Sequence, residues 1–174
     1  MIFAVVGPSG AGKDALIAGA LRARPGLRLV RRVITRHEAA GGENFEGVTE
    51  AEFAARKARG AFALDWQAHG LSYGIPQDQV AGRGDVVFNG SRAALPLATR
   101  VFPGLRVILV TAPDAVLAAR LAARGREDEA GIRARLARAG FALPKGISAT
   151  VVVNDGTVEQ GVAQLLATLQ PVSA

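Results

Sequence analysis

At 174 residues the chain is about one domain long, and its 49% hydrophobic and 21% charged residues fit a globular protein with a single core. No apolar run approaches the roughly 20 residues of a membrane-spanning helix, and "MIFAVV" opens the chain without the basic region, long apolar stretch and cleavage site of a signal peptide, so a cytoplasmic protein is expected. Cysteine is absent, which excludes disulfides, thiolate metal sites and cysteine nucleophiles; the net charge of +6 is dispersed, without a basic block or interleaved aromatics, and argues against nucleic acid and for a phosphate-rich small molecule.

Short β-branched runs alternate with alanine-rich helical segments, which predicts an α/β protein whose parallel sheet is covered by helices. The first strand, Ile2–Val6, runs into "GPSGAGKD", and "DALIAGALRAR" leaves it as a helix. Strand, glycine turn and helix in that order are the context of a phosphate-binding loop. Gly7, Gly10 and Gly12, with Pro8, Ser9 and Ala11 between them, let backbone N–H groups converge on phosphates at a helix N-terminus, and Lys13 supplies a compact charge for the transferred group. Lys13 is one of only three lysines, with Lys57 and Lys145, in a chain that otherwise uses arginine. Asp14 stands where such loops carry a Ser or Thr hydroxyl for Mg²⁺, and the strand "DVVF" ends in a neutral amide, Asn89, where an acidic residue is usual. The pairing is inverted, so Asp14 is expected to bring the negative charge to Mg²⁺, with Asn89 as its neutral partner.

Pro25-Gly26 predicts a turn and Leu29–Ile34 a second strand. The polar "TRHEAAGGENFEG" from Thr35 to Gly47 breaks the alternation. A capping box at Thr49, with Glu52 reaching back, starts a helix; "FALDW" and "LSYGI" around "QAHG" then read as an antiparallel hairpin inserted into the frame, a candidate substrate-binding lobe. His69 belongs to the hairpin turn, His37 reads as exposed, and the lone tryptophan, Trp66, reads as core of the lobe. Further on come a helix start at Pro76, strands Val86–Phe88 and Arg106–Val110 separated by a Pro103-Gly104 turn, a helix start at Pro113, and strand Thr150–Val153 before a second capping box at Thr157 and Gln160.

The motifs "GPSGAGK", "ITR" at 34–36, "GGE" at 41–43, "LDWQAHGLSYG" at 64–74, "RLAARGRE" at 120–127, "IRARL" at 132–136 and "NDG" at 154–156 together resemble the guanylate kinase-like branch of the P-loop kinases, essentially end to end. In detail, "GKD", "EN" at 43–44, "NGSR" at 89–92, "RGRE" and "ARLARA" look most like the ribose 1,5-bisphosphate phosphokinases. The resemblance implies a P-loop kinase three-layer sandwich with a central parallel sheet, one domain over 1–174, with a small acceptor-binding lobe at 35–75 and a helical lid at 124–138. It implies ATP and Mg²⁺ as cofactors and a phosphorylated sugar as substrate, the γ-phosphoryl group passing to the 1-phosphate of ribose 1,5-bisphosphate. That acceptor oxygen is already ionised near neutral pH, so no general base is needed, and positioning and cations carry the catalysis.

Lys13, Arg124, Arg126 and Arg135 are the candidate catalytic cations; Gly7 to Asp14 and Asn154 are expected on the nucleotide; Arg36 and Arg92 on the acceptor's phosphates, Glu43 and Asn44 on its hydroxyls, and Tyr73 and Asn89 beside them. Departures from guanylate kinase agree: Ile75 replaces the base-reading hydroxyl after Tyr73-Gly74, and Ala39 and Val48 stand near its second acceptor arginine and its tyrosine. The alternatives are a nucleoside monophosphate kinase, guanylate kinase first, and a non-catalytic guanylate kinase-like interaction module; in such modules the phosphate loop is usually degraded, whereas here it is complete. Neither nucleic acid nor membrane is expected as a partner, and a monomer or homodimer is open.

Overall fold

The structure, a computed structural model, describes residues 1–37, 44–123 and 142–170. The elements are β1 (Ile2–Val6), α1 (Lys13–Ala23), β2 (Leu27–Leu29), β3 (Arg32–Ile34), β4 (Phe45–Gly47), α2 (Glu50–Ala58), β5 (Phe62–Ala68), β6 (Leu71–Pro76), α3 (Gln77–Val80), β7 (Asp85–Asn89), α4 (Leu95–Val101), β8 (Arg106–Thr111), α5 (Asp114–Ala123), β9 (Thr150–Val153) and α6 (Val158–Thr168). The central sheet has five parallel strands in the order β2-β7-β1-β8-β9.

Period-two alternation sends neighbouring side chains of β1 to opposite faces. Phe3 and Val5 join Leu16 and Ile17 of α1, Leu117 of α5 and Leu165 of α6 on one side, whereas Ala4 and Val6 join Leu95 and Ala98 of α4 and Leu64, Trp66 and Ile75 of a second sheet on the other. Both faces are covered, which makes three layers and explains why the parallel strands read as nearly continuous apolar runs. Burial of each large side chain contributes about 1.5–3 kcal/mol. No helix among the described residues is long and apolar enough to cross a membrane.

The second sheet, in the order β4-β3-β6-β5, holds the expected hairpin and extends it. Between β5 and β6, His69 (φ 54°) and Gly70 (φ 74°) both have positive φ, as a two-residue turn matching the twist of the strands requires. Two local expectations are corrected. The single strand at Leu29–Ile34 is two strands in two sheets. Val30 N–H still donates to Val87 O in the central sheet, but the next N–H, of Arg31, is taken by Gln79 Oε1, and the chain turns away to begin β3. The polar stretch before Gly47 contains β4, paired parallel to β3 with Phe45 buried.

The two capping boxes differ as well. Thr157 Oγ1 accepts from Gln160 N–H while Gln160 Oε1 accepts from Thr157 N–H. At Thr49 only the first half forms, for Glu52 N–H donates to Thr49 Oγ1 but the Glu52 carboxylate turns to Arg56 at 2.7 Å. An ion pair one turn along the helix has outcompeted the reciprocal cap, and its hydrogen bond holds the Glu52 carboxyl below the usual range.

Candidate active site

The loop between β1 and α1 is shaped by what surrounds it. Gly7 (φ 152°) passes so close to β8 that a Cβ there would lie 1.9 Å from the Val110 carbonyl oxygen. At Gly12, the N-cap of α1 in the left-handed region (φ 87°), a Cβ would meet Asn154 Nδ2 at 2.5 Å. Lys13 opens α1 and folds back over the loop, its ammonium donating to Gly7 O at 2.8 Å and Pro8 O at 3.0 Å. Ser9 at the loop's outer turn is exposed, whereas Pro8, Gly10 and Ala11 are buried beneath it.

Asn154, expected on the nucleotide, lies just beyond β9 and under the loop: 4% exposed, its Nδ2 donates to Ala11 O at 2.8 Å, and its backbone N–H donates to Thr111 O at 2.7 Å. Its Oδ1 is buried with no hydrogen-bond partner among the described residues. This contact braces the loop backbone to the last strand. Arg120 was not singled out by the sequence reading, although the "RLAARGRE" motif contains it. Its Nη1 is buried beside Gly12 and has no hydrogen-bond partner among the described residues, a donor aimed at the loop from α5.

On the other side of α1, Asp14 and Asn89 come together across 75 residues of sequence, Asn89 Nδ2 donating to Asp14 Oδ1 at 2.8 Å. The contact follows from topology, because β7 lies beside β1 and both strands end at this edge. Asp14, Asn89, Asn44 and Arg32 form the polar part of a cleft of about 200 Å³ whose remaining walls are apolar. Asn44 Oδ1 also accepts from Arg31 Nε at 3.2 Å, and Arg31 reaches Phe45 O at 3.1 Å. Tyr73 lies against Trp66, with ring centroids 5.3 Å apart and planes within 6°. Trp66 is core, as expected.

Arg36 and Arg92 are not among the cleft's described walls. Arg36 is half-buried with its guanidinium 4.4 Å from the Phe45 ring centroid, and Arg92 sits in the 3-10 turn Arg92–Ala94 that follows Asn89, where burial lowers its guanidinium from the ordinary value. Glu43 and Ala39, the lid at 124–138 and its Arg124, Arg126 and Arg135 lie outside the described residues. Among the described residues no cluster of three or more His or acidic side chains forms a metal site. The oxygens of Asp14 and the Asn89 amide suit a hard cation that takes one or two carboxylates and otherwise phosphates and water, so the donor set fits Mg²⁺ arriving with a nucleotide.

No family model matches the chain. Over 173 residues it is 51% identical to the ribose 1,5-bisphosphate phosphokinase PhnN of Ruegeria sp. (strain TM1040), covering 97% of this chain and 91% of that one. It belongs to the ribose 1,5-bisphosphate phosphokinase family. A protein of the same name from Pseudomonas fluorescens (strain SBW25) is 47% identical over 175 residues, covering 95% and 92% of the two chains. Among solved structures, the guanylate kinase from Anaplasma phagocytophilum superposes with a TM-score of 0.65 over 96% of this chain and 82% of that one, at 16% identity. The P-loop kinase sandwich with its central parallel sheet is therefore the fold, and the chain is a kinase; neither the guanylate kinase reading nor the interaction module is favoured.

Proposed function

We propose that the chain transfers the γ-phosphoryl group of ATP to the 1-phosphate of ribose 1,5-bisphosphate, giving 5-phospho-α-D-ribose 1-diphosphate and ADP. A 1-phosphate oxygen attacks the γ-phosphorus, the bond from that phosphorus to the β–γ bridging oxygen breaks, and no proton need be removed from the nucleophile. Membership of the family carries the choice of acceptor. The architecture supports it, since Lys13 and Asp14, successive residues at one helix N-terminus, bring the loop and the cleft side by side.

The loop N–H groups from Gly7 to Gly12 cradle the β- and γ-phosphates, Lys13 offsets charge spreading over the transferred group, and Arg120 adds a second cation against the loop. Asn154 holds the loop in shape through Ala11 O. Mg²⁺ bound with ATP would be held by Asp14, with Asn89 orienting that carboxylate, and would neutralise charge on the phosphates. Arg36 and Arg92 hold acceptor phosphates, and Asn44 a sugar hydroxyl. Arg92 is half-buried where it follows Asn89, and burial holds its guanidinium below the ordinary value.

Ile75 speaks against a guanine acceptor. The position after Tyr73-Gly74 is fully buried in the apolar core, so it offers no group to a base edge. The strands of the second sheet form the acceptor lobe within a single domain, in a cytoplasmic enzyme that acts as a monomer or homodimer. The experiment is ADP release from ATP with ribose 1,5-bisphosphate, with GMP, or with no acceptor. Ribose 1,5-bisphosphate is expected to give the fastest release by a wide margin, and a faster rate with GMP would overturn the proposal.

A further inference from the structure

Arg32 is the only charged side chain among the described residues that is buried, at 6% exposure. It begins β3, the first strand after the chain leaves the central sheet, and it lines the cleft that Asp14 and Asn89 also line. Behind it stand the stacked rings of Tyr73 and Trp66, with the guanidinium carbon 5.3 and 5.9 Å from their centroids. A guanidinium is costly to bury, and the aromatic pair offsets part of that cost while fixing its plane. A planar donor fork held on an aromatic wall at the edge of a substrate cleft is suited to one class of ligand, a phosphate gripped by two parallel hydrogen bonds.

We infer that Arg32 binds the 5-phosphate of the acceptor and thereby sets the enzyme's preference for a sugar bisphosphate. The inference rests on the acceptor proposed above. The end of that molecule which receives the phosphoryl group must face Lys13 and Asp14; Arg36 and Arg92, placed above on the acceptor's phosphates, are not among the cleft's described walls, whereas Arg32 lines the cleft and joins them at the opposite phosphate.

The test compares ribose 1,5-bisphosphate with ribose 1-phosphate as acceptors for the parent enzyme and for Arg32→Met, which keeps the apolar stem and removes the fork. The parent should prefer the bisphosphate in kcat/KM by about 10- to 100-fold, the worth of hydrogen bonds to a charged group. In Arg32→Met that preference should collapse to within a few-fold, through a raised KM for the bisphosphate, with the KM for ATP unchanged. A side chain that only supports the fold would weaken both acceptors alike and leave the preference intact, and that result overturns the inference. So does a parent without any preference. Should Arg32→Met not fold, Arg32→Lys carries the same test, since it keeps the charge without the fork: a reduced preference supports the assignment and an unchanged one overturns it. Failure of the parent to use ribose 1,5-bisphosphate at all would instead overturn the proposed function.

Discussion

In the proposed function the phosphate loop and the acceptor lobe solve the same problem, holding a phosphate group, with different materials. The loop does so with main chain: glycines pressed against β8 and Asn154, a helix N-terminus, and an ammonium folded over two carbonyls. The lobe relies on side chains, with arginines laid over aromatic rings on a four-stranded sheet. A main-chain cradle depends on local sequence, and a glycine out of place breaks it. A side-chain cradle depends on which residues the topology brings together, so single substitutions change its specificity while the frame persists. The difference predicts that changes in the loop abolish turnover and changes in the lobe redirect it.

The largest effect is expected at Lys13. Lys13→Ala removes the charge from the loop but no core packing, since the ammonium lies against two main-chain carbonyls. Turnover should fall by roughly 100- to 1,000-fold, the usual cost of one well-placed stabilising donor. The circular dichroism spectrum should be that of the parent. Turnover within a few-fold of the parent would erase the contrast between loop and lobe.

Asp14 lies on the border of the two regions and tests whether they share a metal. Asp14→Ser should raise the Mg²⁺ concentration for half-maximal rate by about tenfold, the lower end of what altered metal-site partners cost. Combining it with Asn89→Asp should recover part of the loss. The two side chains are in direct contact, so in the double variant the new hydroxyl can donate to the new carboxylate, and the negative charge has only changed sides of one hydrogen bond. If Asp14→Ser titrates with Mg²⁺ like the parent, the aspartate serves only the dipole of α1, an effect of about 0.3–1 kcal/mol.

The same contrast explains what could be read from the sequence. The loop was legible because its determinants are contiguous: an apolar strand, glycines at three places, a lysine and a helix. The central strands were legible from their β-branched runs. The break between β2 and β3 was not, because the residue that takes the Arg31 N–H is Gln79, 48 residues further on. β4 was hidden for a related reason; three residues ending in glycine become a strand only because β3 lies beside them. Among site residues, Asp14 and Asn89 could be paired in advance by the logic of charge at a metal, but Arg32 and Arg120 could not be ranked above the other arginines, since burial against Tyr73 or beside Gly12 exists only in three dimensions. Asn154 was found by its motif, but its contact with Ala11 O was not.

The smallest effect separates two helix starts that look alike in sequence, one at the edge of each region. Thr157 begins α6, which packs on the loop's helix α1, and its box is reciprocal; Thr49 begins α2 on the lobe side with only one of the two bonds. Losing a Thr cap costs about 1 kcal/mol. Thr157→Ala removes the acceptor for Gln160 N–H, while the Gln160 side chain keeps its bond to the main-chain N–H of residue 157. Thr49→Ala leaves Glu52 where it is, held by Arg56. Thr157→Ala and Thr49→Ala are therefore expected to lower the denaturation midpoint alike, and adding Gln160→Ala to Thr157→Ala should lower it further, by an amount worth a few tenths of a kcal/mol to about 1 kcal/mol, with unchanged slope in urea. No further loss on adding Gln160→Ala would mean that the reciprocal bond adds nothing, and a larger loss at Thr49 would mean that the Glu52–Arg56 pair depends on the cap it displaced.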